Sequence, residues 1–256
     1  MCLILFAWNA HPIYSLVIAA NRDEFHQRPS ADADFWEDDP DILAGRDLQA
    51  GGTWLGVTRS GRFAAITNYR EPDVPDLSSE RSRGHLVRDY LHGDQSPVNH
   101  ARGLVNVGAS YRGFNLLLGT SESLAYASNR GGEAFTVSAG THGLSNHLLD
   151  TDWPKVHSGR QRLEGILQDR RPEPEAFFEL LTDKTLTPGK IPEDLATSLA
   201  PERLMKHYFI VSPVYGTRCS TVVLVGRDGS IQFHERQFDP AGQAAGTRSF
   251  QLQKRT

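Results

Sequence analysis

Residues 1–24 read MCLILFAWNAHPIYSLVIAANRDE, and the fold follows from how this stretch is divided. Residues 2–8 and 13–20 are apolar runs of Leu, Ile, Val, Ala and aromatics, separated by Asn9-Ala10-His11-Pro12. Each run has the length of a strand. A strand without polar alternation is one covered on both faces, as at the centre of a layered sheet. The polar break reads as a hairpin turn. It also argues, with no basic segment before it, against a signal peptide or a membrane span.

Two features of this hairpin carry chemistry. Cysteine stands at position 2, so removal of Met1 would leave a thiol and a free α-amine on one residue. With an unperturbed pKa near ~8, that amine can act as a base toward the thiol at neutral pH. The second run ends in Asn21-Arg22-Asp23-Glu24, a polar cluster at a strand terminus. There Arg22 would favour a thiolate, and Asp23 or Glu24 could hold the amine by hydrogen bonding. Taken alone, each feature has a plainer explanation. A free cysteine commonly packs as a small apolar residue, and exposed ion pairs at a strand end contribute little. Only their coincidence makes a site.

Working outward, residues 25–50 are polar and punctuated by Pro29 and Pro40, which predicts a long ordered surface loop. Gly51–Thr58 reads as a turn into a strand, and Phe63–Asn68 as its return. After a polar stretch with Pro72 and Pro75, helical periodicity covers 81–92, and a short helix is expected over 97–106. Phe114–Leu118, Leu124–Ala127 and Ala134–Ser138 read as strands. Thr151-Asp152-Trp153-Pro154 is a helix start, with Pro just inside, and the helix should run to Leu167. A further helix spans Glu173–Leu181, and residues 182–203 look like loop. His207–Val211, Arg218–Val225 and Ile231–Phe238 read as strands, with a short edge strand over Phe250–Leu252. Strands thus flank a helical middle. That is an α+β pattern, not the βαβ rhythm of a doubly wound fold, and residues 1–256 are expected to form one domain.

Composition bounds the function. With 256 residues, 39% hydrophobic and 23% charged, the chain is an ordinary globular sequence long enough for a sizeable core. A net charge of −4 and the lack of a basic block give no field for nucleic acid or anionic membranes. The two cysteines, at 2 and 219, make neither a disulfide framework nor a zinc site, and they fit a reducing, cytoplasmic setting. Cys219 lies inside an apolar strand and reads as core. No Walker loop, dinucleotide glycine fingerprint, HExxH or G-x-S-x-G pattern is present, so no cofactor or metal is expected. His85 and His92 could share a helix face, where surface exposure is commoner than metal binding. Three further polar residues stand at strand ends: Asn68, Asn146 and Arg218. An amide donor at such a place can stabilise an oxyanion, although Asn is equally at home in turns.

Several segments together resemble one family. MCLILFAW, ANRDEF, AGRD, GGTWLG, ITNYRE, SRG, GLSN with the following LDTDWPKV, and TRCSTVVLV are similar, in order and over nearly the whole chain, to the NRDE-motif family. It is also called the transport and Golgi organisation protein 2 family. The resemblance implies the four-layer αββα sandwich of N-terminal nucleophile hydrolases, as in penicillin V acylases and bile-salt hydrolases. It implies Cys2 as nucleophile and Arg22 with Asp23 beside it. Asn68 and Asn146 would line the oxyanion site, and Arg218 would match a late arginine of those acylases. The activity so implied is hydrolysis of an amide or ester in a small acylated substrate. The alternative is a non-catalytic carrier for haem or for a lipid or acyl-CoA ligand in the same cleft.

Overall fold

The structure is a computed structural model and describes residues 2–71, 81–104, 108–185, 187 and 206–255. The two N-terminal runs form β1 (Cys2–Trp8) and β2 (Tyr14–Phe25), paired antiparallel with Cys2 opposite Arg22. Asn9 closes the turn in the left-handed region at φ 49°, which asparagine tolerates better than most residues, and the His11 Nδ1 accepts from the backbone amides of Ile13 and Tyr14. β2 continues past the apolar run, so the polar cluster lies within the strand and not beyond it.

Strand periodicity then sorts the side chains. Ile4, Phe6, Trp8, Leu16, Ile18 and Ala20 face one way, while Leu3, Leu5, Ala7, Val17 and Ala19 face the other. Both sets are buried because β1 and β2 are interior strands. Their sheet, in the order β10-β1-β2-β11-β12-β13, also contains β10 (Gly140–Leu144), β11 (Tyr215–Gly226), β12 (Ser230–Phe238) and β13 (Ala244–Gln253). A second sheet runs in sequence order through β3 (Ser30–Phe35), β4 (Ile42–Asp47), β5 (Leu55–Thr58), β6 (Phe63–Asn68), β7 (Phe114–Gly119), β8 (Leu124–Ser128) and β9 (Phe135–Thr136).

Three apolar layers hold these parts together. Phe6, Ile18, Val223 and Phe233 meet Leu55, Phe63, Leu117 and Leu124 between the sheets. Helices α1 (Gly84–His92) and α2 (Pro97–Leu104) cover the outer face of the second sheet through Leu86, Val87, Tyr90 and Leu104. Helices α3 (Pro154–Ile166) and α4 (Pro174–Leu181) cover the first sheet through Val156, Leu163, Phe177 and Leu181. The layering is therefore αββα, as the resemblance implies. No helix among the described residues is long and apolar enough to cross a membrane.

Four expectations are corrected. Residues 25–50 are not one loop: they contain β3 and β4. β3 reads SADADF because it is an edge strand, where aspartates in place of an apolar face discourage pairing with other chains. β13 is ten residues long for the same reason: a nearly fully exposed edge strand carries little apolar signal. Residues 207–211 form no strand. Tyr208, Phe209 and Ile210 are buried, but they plug the space beside β2 and β11 through isolated bonds such as Ile210 N–H to Thr217 Oγ1. The strand expected over Ala134–Ser138 shrinks to the two residues of β9. The stretch with Pro72 and Pro75, residues 105–107 and most of 182–203 fall outside the described residues.

β10 is tied down by a half-buried ion pair. His142 Nδ1 lies 2.7 Å from Asp150 Oδ2, and its Nε2 lies 3.0 Å from the Ser138 carbonyl. Facing two acceptors, the ring is best satisfied as imidazolium, and the Asp150 hydrogen bond raises its pKa above the usual histidine value. This stabilisation is fully present below the ordinary imidazole pKa and is lost as pH rises through the raised folded value. Urea-unfolding midpoints should accordingly fall across that window in the native chain. Asp150→Asn, which keeps a side chain suited to the positive φ of 57°, should cost about 1 kcal/mol at mildly acid pH and flatten the fall.

Candidate active site

At the open ends of β1, β2 and β6 lies a cleft of about 540 Å³, lined by Cys2, Arg22, Asp23, Trp54, Asn68 and Arg83 among others. Cys2 is partly buried, and its carbonyl accepts from Ser145 Oγ at 2.8 Å. Burial pushes its thiol pKa up, and Asp23 adds to that; the amino-terminal charge, a hydrogen bond from the Asp23 backbone and the charge of Arg22 act the other way.

Arg22 and Asp23 are neighbours in sequence and point to opposite faces of the sheet. Arg22, buried, faces the other sheet, where its guanidinium lies 4.1 Å from the centroid of a Trp54 ring and Nη1 reaches Ser30 Oγ at 3.4 Å. It stands in one cross-strand row with Cys2 on β1 and Cys219 on β11. Asp23, also buried, turns toward the helix layer, where Thr217 Oγ1 donates to its Oδ1 at 2.7 Å. Burial pushes its carboxyl pKa up, against the opposing influence of the amino-terminal charge first, then of Lys155 and the Thr217 bond. Glu24 is less buried and accepts its nearest bond from the Phe25 amide, so Asp23 is the carboxylate built into the site.

The two asparagines meet but play different parts. Asn68 ends β6 with its side chain exposed at the cleft. Asn146 is buried behind it and donates from Nδ2 to the Asn68 carbonyl at 2.8 Å. The segment 145–147 laces the sheets together: Ser145 Oγ bonds the Cys2 carbonyl, while Thr67 Oγ1 and Asn115 Nδ2 donate to the carbonyls of Ser145 and His147.

Arg218 is placed apart from the cleft. A β-bulge lies between Thr217, which pairs with Asp23, and Cys219, which pairs with Arg22. Such an extra residue is re-aimed. Arg218 Nη1 donates to the carbonyls of Phe25, His26 and Arg28, fastening the turn after β2. It borders a smaller cavity of about 170 Å³ on the far side of Arg22, with Cys219 and Glu235. Glu235 is buried and linked to the Ala33 amide, joining the sheets; burial raises its pKa and pushes the Cys219 thiol well up.

Sequence reasoning passed over three contributors. Trp54 gives no sign in the sequence of more than packing, yet its ring holds the Arg22 guanidinium. Thr217 positions Asp23. Lys155, in the first turn of α3, is 1% exposed and interacts electrostatically with Asp23 and Cys2. A signal for it existed: a cation at a helix N-terminus opposes the macrodipole and calls for another reason to be there. His85 and His92 instead bond the Ala50 carbonyl and Asp39, and no group of three or more metal-binding side chains gathers among the described residues.

The fold and site define a layered αββα protein with a cysteine at the amino end of a central strand. The chain belongs to the Transport and Golgi organisation 2 family, whose sequence profile matches residues 1–240. It is 35% identical to the bovine Transport and Golgi organization protein 2 homolog, covering 99% of this chain and all of that one. It is 36% identical to the human homolog over 92% of each chain, and 28% identical to the Drosophila melanogaster protein over 95% of each. Among solved structures, the Caenorhabditis elegans N-acylethanolamine-hydrolyzing acid amidase ortholog aligns with a TM-score of 0.49 and 11% identity, over 87% of this chain and 92% of that one.

The two thiols differ sharply in access. Iodoacetamide should label one cysteine of the native protein, mapped to Cys2, and both after unfolding in urea; Cys2→Ser should abolish native labelling. Two equivalents taken up by native protein would contradict the burial of Cys219.

Proposed function

We propose that this chain, as one domain, is a cysteine N-terminal nucleophile amidohydrolase acting on the amide or ester bond of a small acylated substrate. The observation that carries the reading is the position of Cys2: its thiol opens on the cleft beside the buried Arg22, at the residue that Met1 removal would make the amino terminus.

The reaction would run on this chain's own groups. The α-amine of Cys2 takes the thiol proton, and the thiolate attacks the substrate carbonyl carbon. Asn68, on the opposite wall, offers an amide donor to the oxyanion, its backbone steadied by Asn146. The amine then passes the proton to the leaving nitrogen as the C–N bond breaks, leaving a thioester on Cys2. Water, activated by the same amine, releases the acid. Arg22 supports the thiolate, Asp23 orients the amine, and Arg218 supports the site indirectly by holding the turn that follows β2.

The wall of the cleft favours this reading over a carrier for haem or another hydrophobic ligand. Apolar ligands take pockets lined mainly by apolar side chains. Here Trp54, Ile66 and Ala50 are set among Arg22, Arg28, Asp47, Arg81, Arg83 and Arg112.

Intact mass of native protein, before and after incubation with p-nitrophenyl acetate, tests the proposal. Expected are a chain lacking Met1, one acetyl group carried while the ester is in excess and lost once it is consumed, and no addition in Cys2→Ala. A reactive protein that retains Met1 would rule out the amine as base.

A further inference from the structure

The inner face of the second sheet is apolar except in one place. Phe63, Ala65, Leu117 and Leu124 fill the space between the sheets, while on the same face Thr67 of β6, Asn115 of β7 and Tyr126 of β8 each bring a buried polar group. Thr67 and Asn115 are cross-strand partners, and Asn115 is fully buried. An amide in such a layer must have all its bonds made, whereas a Leu would fill the same space with no such demand. A residue kept against its local pattern marks a task beyond packing.

The bonds around Asn115 run in one direction. The Leu149 amide donates to the Tyr126 hydroxyl at 3.2 Å, and that hydroxyl donates its own proton to Asn115 Oδ1 at 2.7 Å. Asn115 Nδ2 donates to the His147 carbonyl at 2.9 Å and to Thr67 Oγ1 at 3.1 Å. Thr67 Oγ1 in turn donates to the Ser145 carbonyl. A carbonyl can only accept, so the amide has a single satisfactory orientation. The network thus grips the residues on either side of Asn146, whose Nδ2 holds the Asn68 carbonyl at 2.8 Å.

We propose that Asn115 is a positioning residue of the oxyanion wall: by clamping the carbonyls of Ser145 and His147 it sets Asn146, and through Asn146 the place of Asn68 across the cleft from Cys2. This rests on the nucleophile reading, in which Asn68 donates to the oxyanion. Asn115 itself touches no substrate. A donor already in place when charge develops needs no reorganisation at that moment, and the clamp supplies that order. Cys2 is held independently, by its pairing with Arg22 on β2.

Two reactions of Cys2 in the full chain separate positioning from general loosening. With p-nitrophenyl acetate the thiolate adds to the carbonyl carbon, an oxyanion forms, and p-nitrophenolate leaves as the thioester is made. With iodoacetamide the thiolate displaces iodide at a saturated carbon, and no oxyanion arises. In Asn115→Leu, which nearly keeps the volume, acylation should slow by at least about tenfold while alkylation keeps its wild-type rate. Tyr126→Phe cuts the same network more mildly and should show the same split to a smaller degree; it carries the test if Asn115→Leu does not fold. Unchanged acylation, or equal slowing of both reactions, overturns the proposal. Hydrogen exchange of the Asn146 side-chain amide, followed by NMR, reads the clamp with no acyl donor present. It should quicken about tenfold in Asn115→Leu and less in Tyr126→Phe, and an unchanged rate overturns the proposal. Wild-type protein that takes up no acyl group would sink the hydrolase reading and leave the clamp to be judged by exchange.

Discussion

The register between β1 and β2 is the constraint on which the site depends. Because side chains alternate across a strand, that register sends Arg22 toward the opposing sheet and Asp23 into the helix layer. A slip of one residue would exchange them, leaving a guanidinium among α3 and α4 and a carboxylate against Trp54. The slip is blocked by the apolar residues on both faces of the pair, such as Ile4 and Ile18 toward one layer and Leu5 and Val17 toward the other. The greasy hairpin is what makes the polar end of the hairpin precise in geometry.

Charge is then managed separately on the two sides of the sheet. Between the sheets, Arg22 rests on the face of Trp54, and Glu235 is held by the Ala33 amide and Gln237. On the helix side, Asp23 takes a hydroxyl bond from Thr217 and feels the charge of Lys155. The bulge at Arg218 permits both: it shifts β11 by one residue, so that Thr217 faces Asp23 while Cys219 stands beside Arg22. Ser145 and Asn146 close the arrangement by bonding the carbonyls of Cys2 and Asn68, which fixes the two walls of the cleft relative to each other.

What was legible in the sequence was whatever buried apolar surface makes periodic. β1, β2, β7, β8 and the two helices α3 and α4 announce themselves through such patterns, and with them the α+β class. The edge strands β3 and β13 did not, because exposed strands carry Asp, Ser, Thr and Gln where a core strand carries Val and Leu. Tyr208-Phe209-Ile210 misled in the opposite direction, since an apolar plug and a short strand share one composition. At the site, Cys2, Arg22, Asp23 and Asn68 were readable because they end or follow apolar runs. Thr217 was not, because its bond to Asp23 spans 194 residues of chain, and Lys155 offered only the faint signal of a cation at a helix N-terminus. The bulge that carries Arg218 away from the cleft has no signature in TRCSTVVLV.

A reactive thiol and a hydrolase differ in one respect, the release of the acyl group. Pre-steady-state release of p-nitrophenol from an activated acyl ester therefore bears most directly on the claim that Cys2 is a catalytic nucleophile. The account predicts a burst of one equivalent per chain followed by continuing linear turnover, both absent from Cys2→Ala. A burst that ends in a stable thioester, or release that persists in Cys2→Ala, would contradict it.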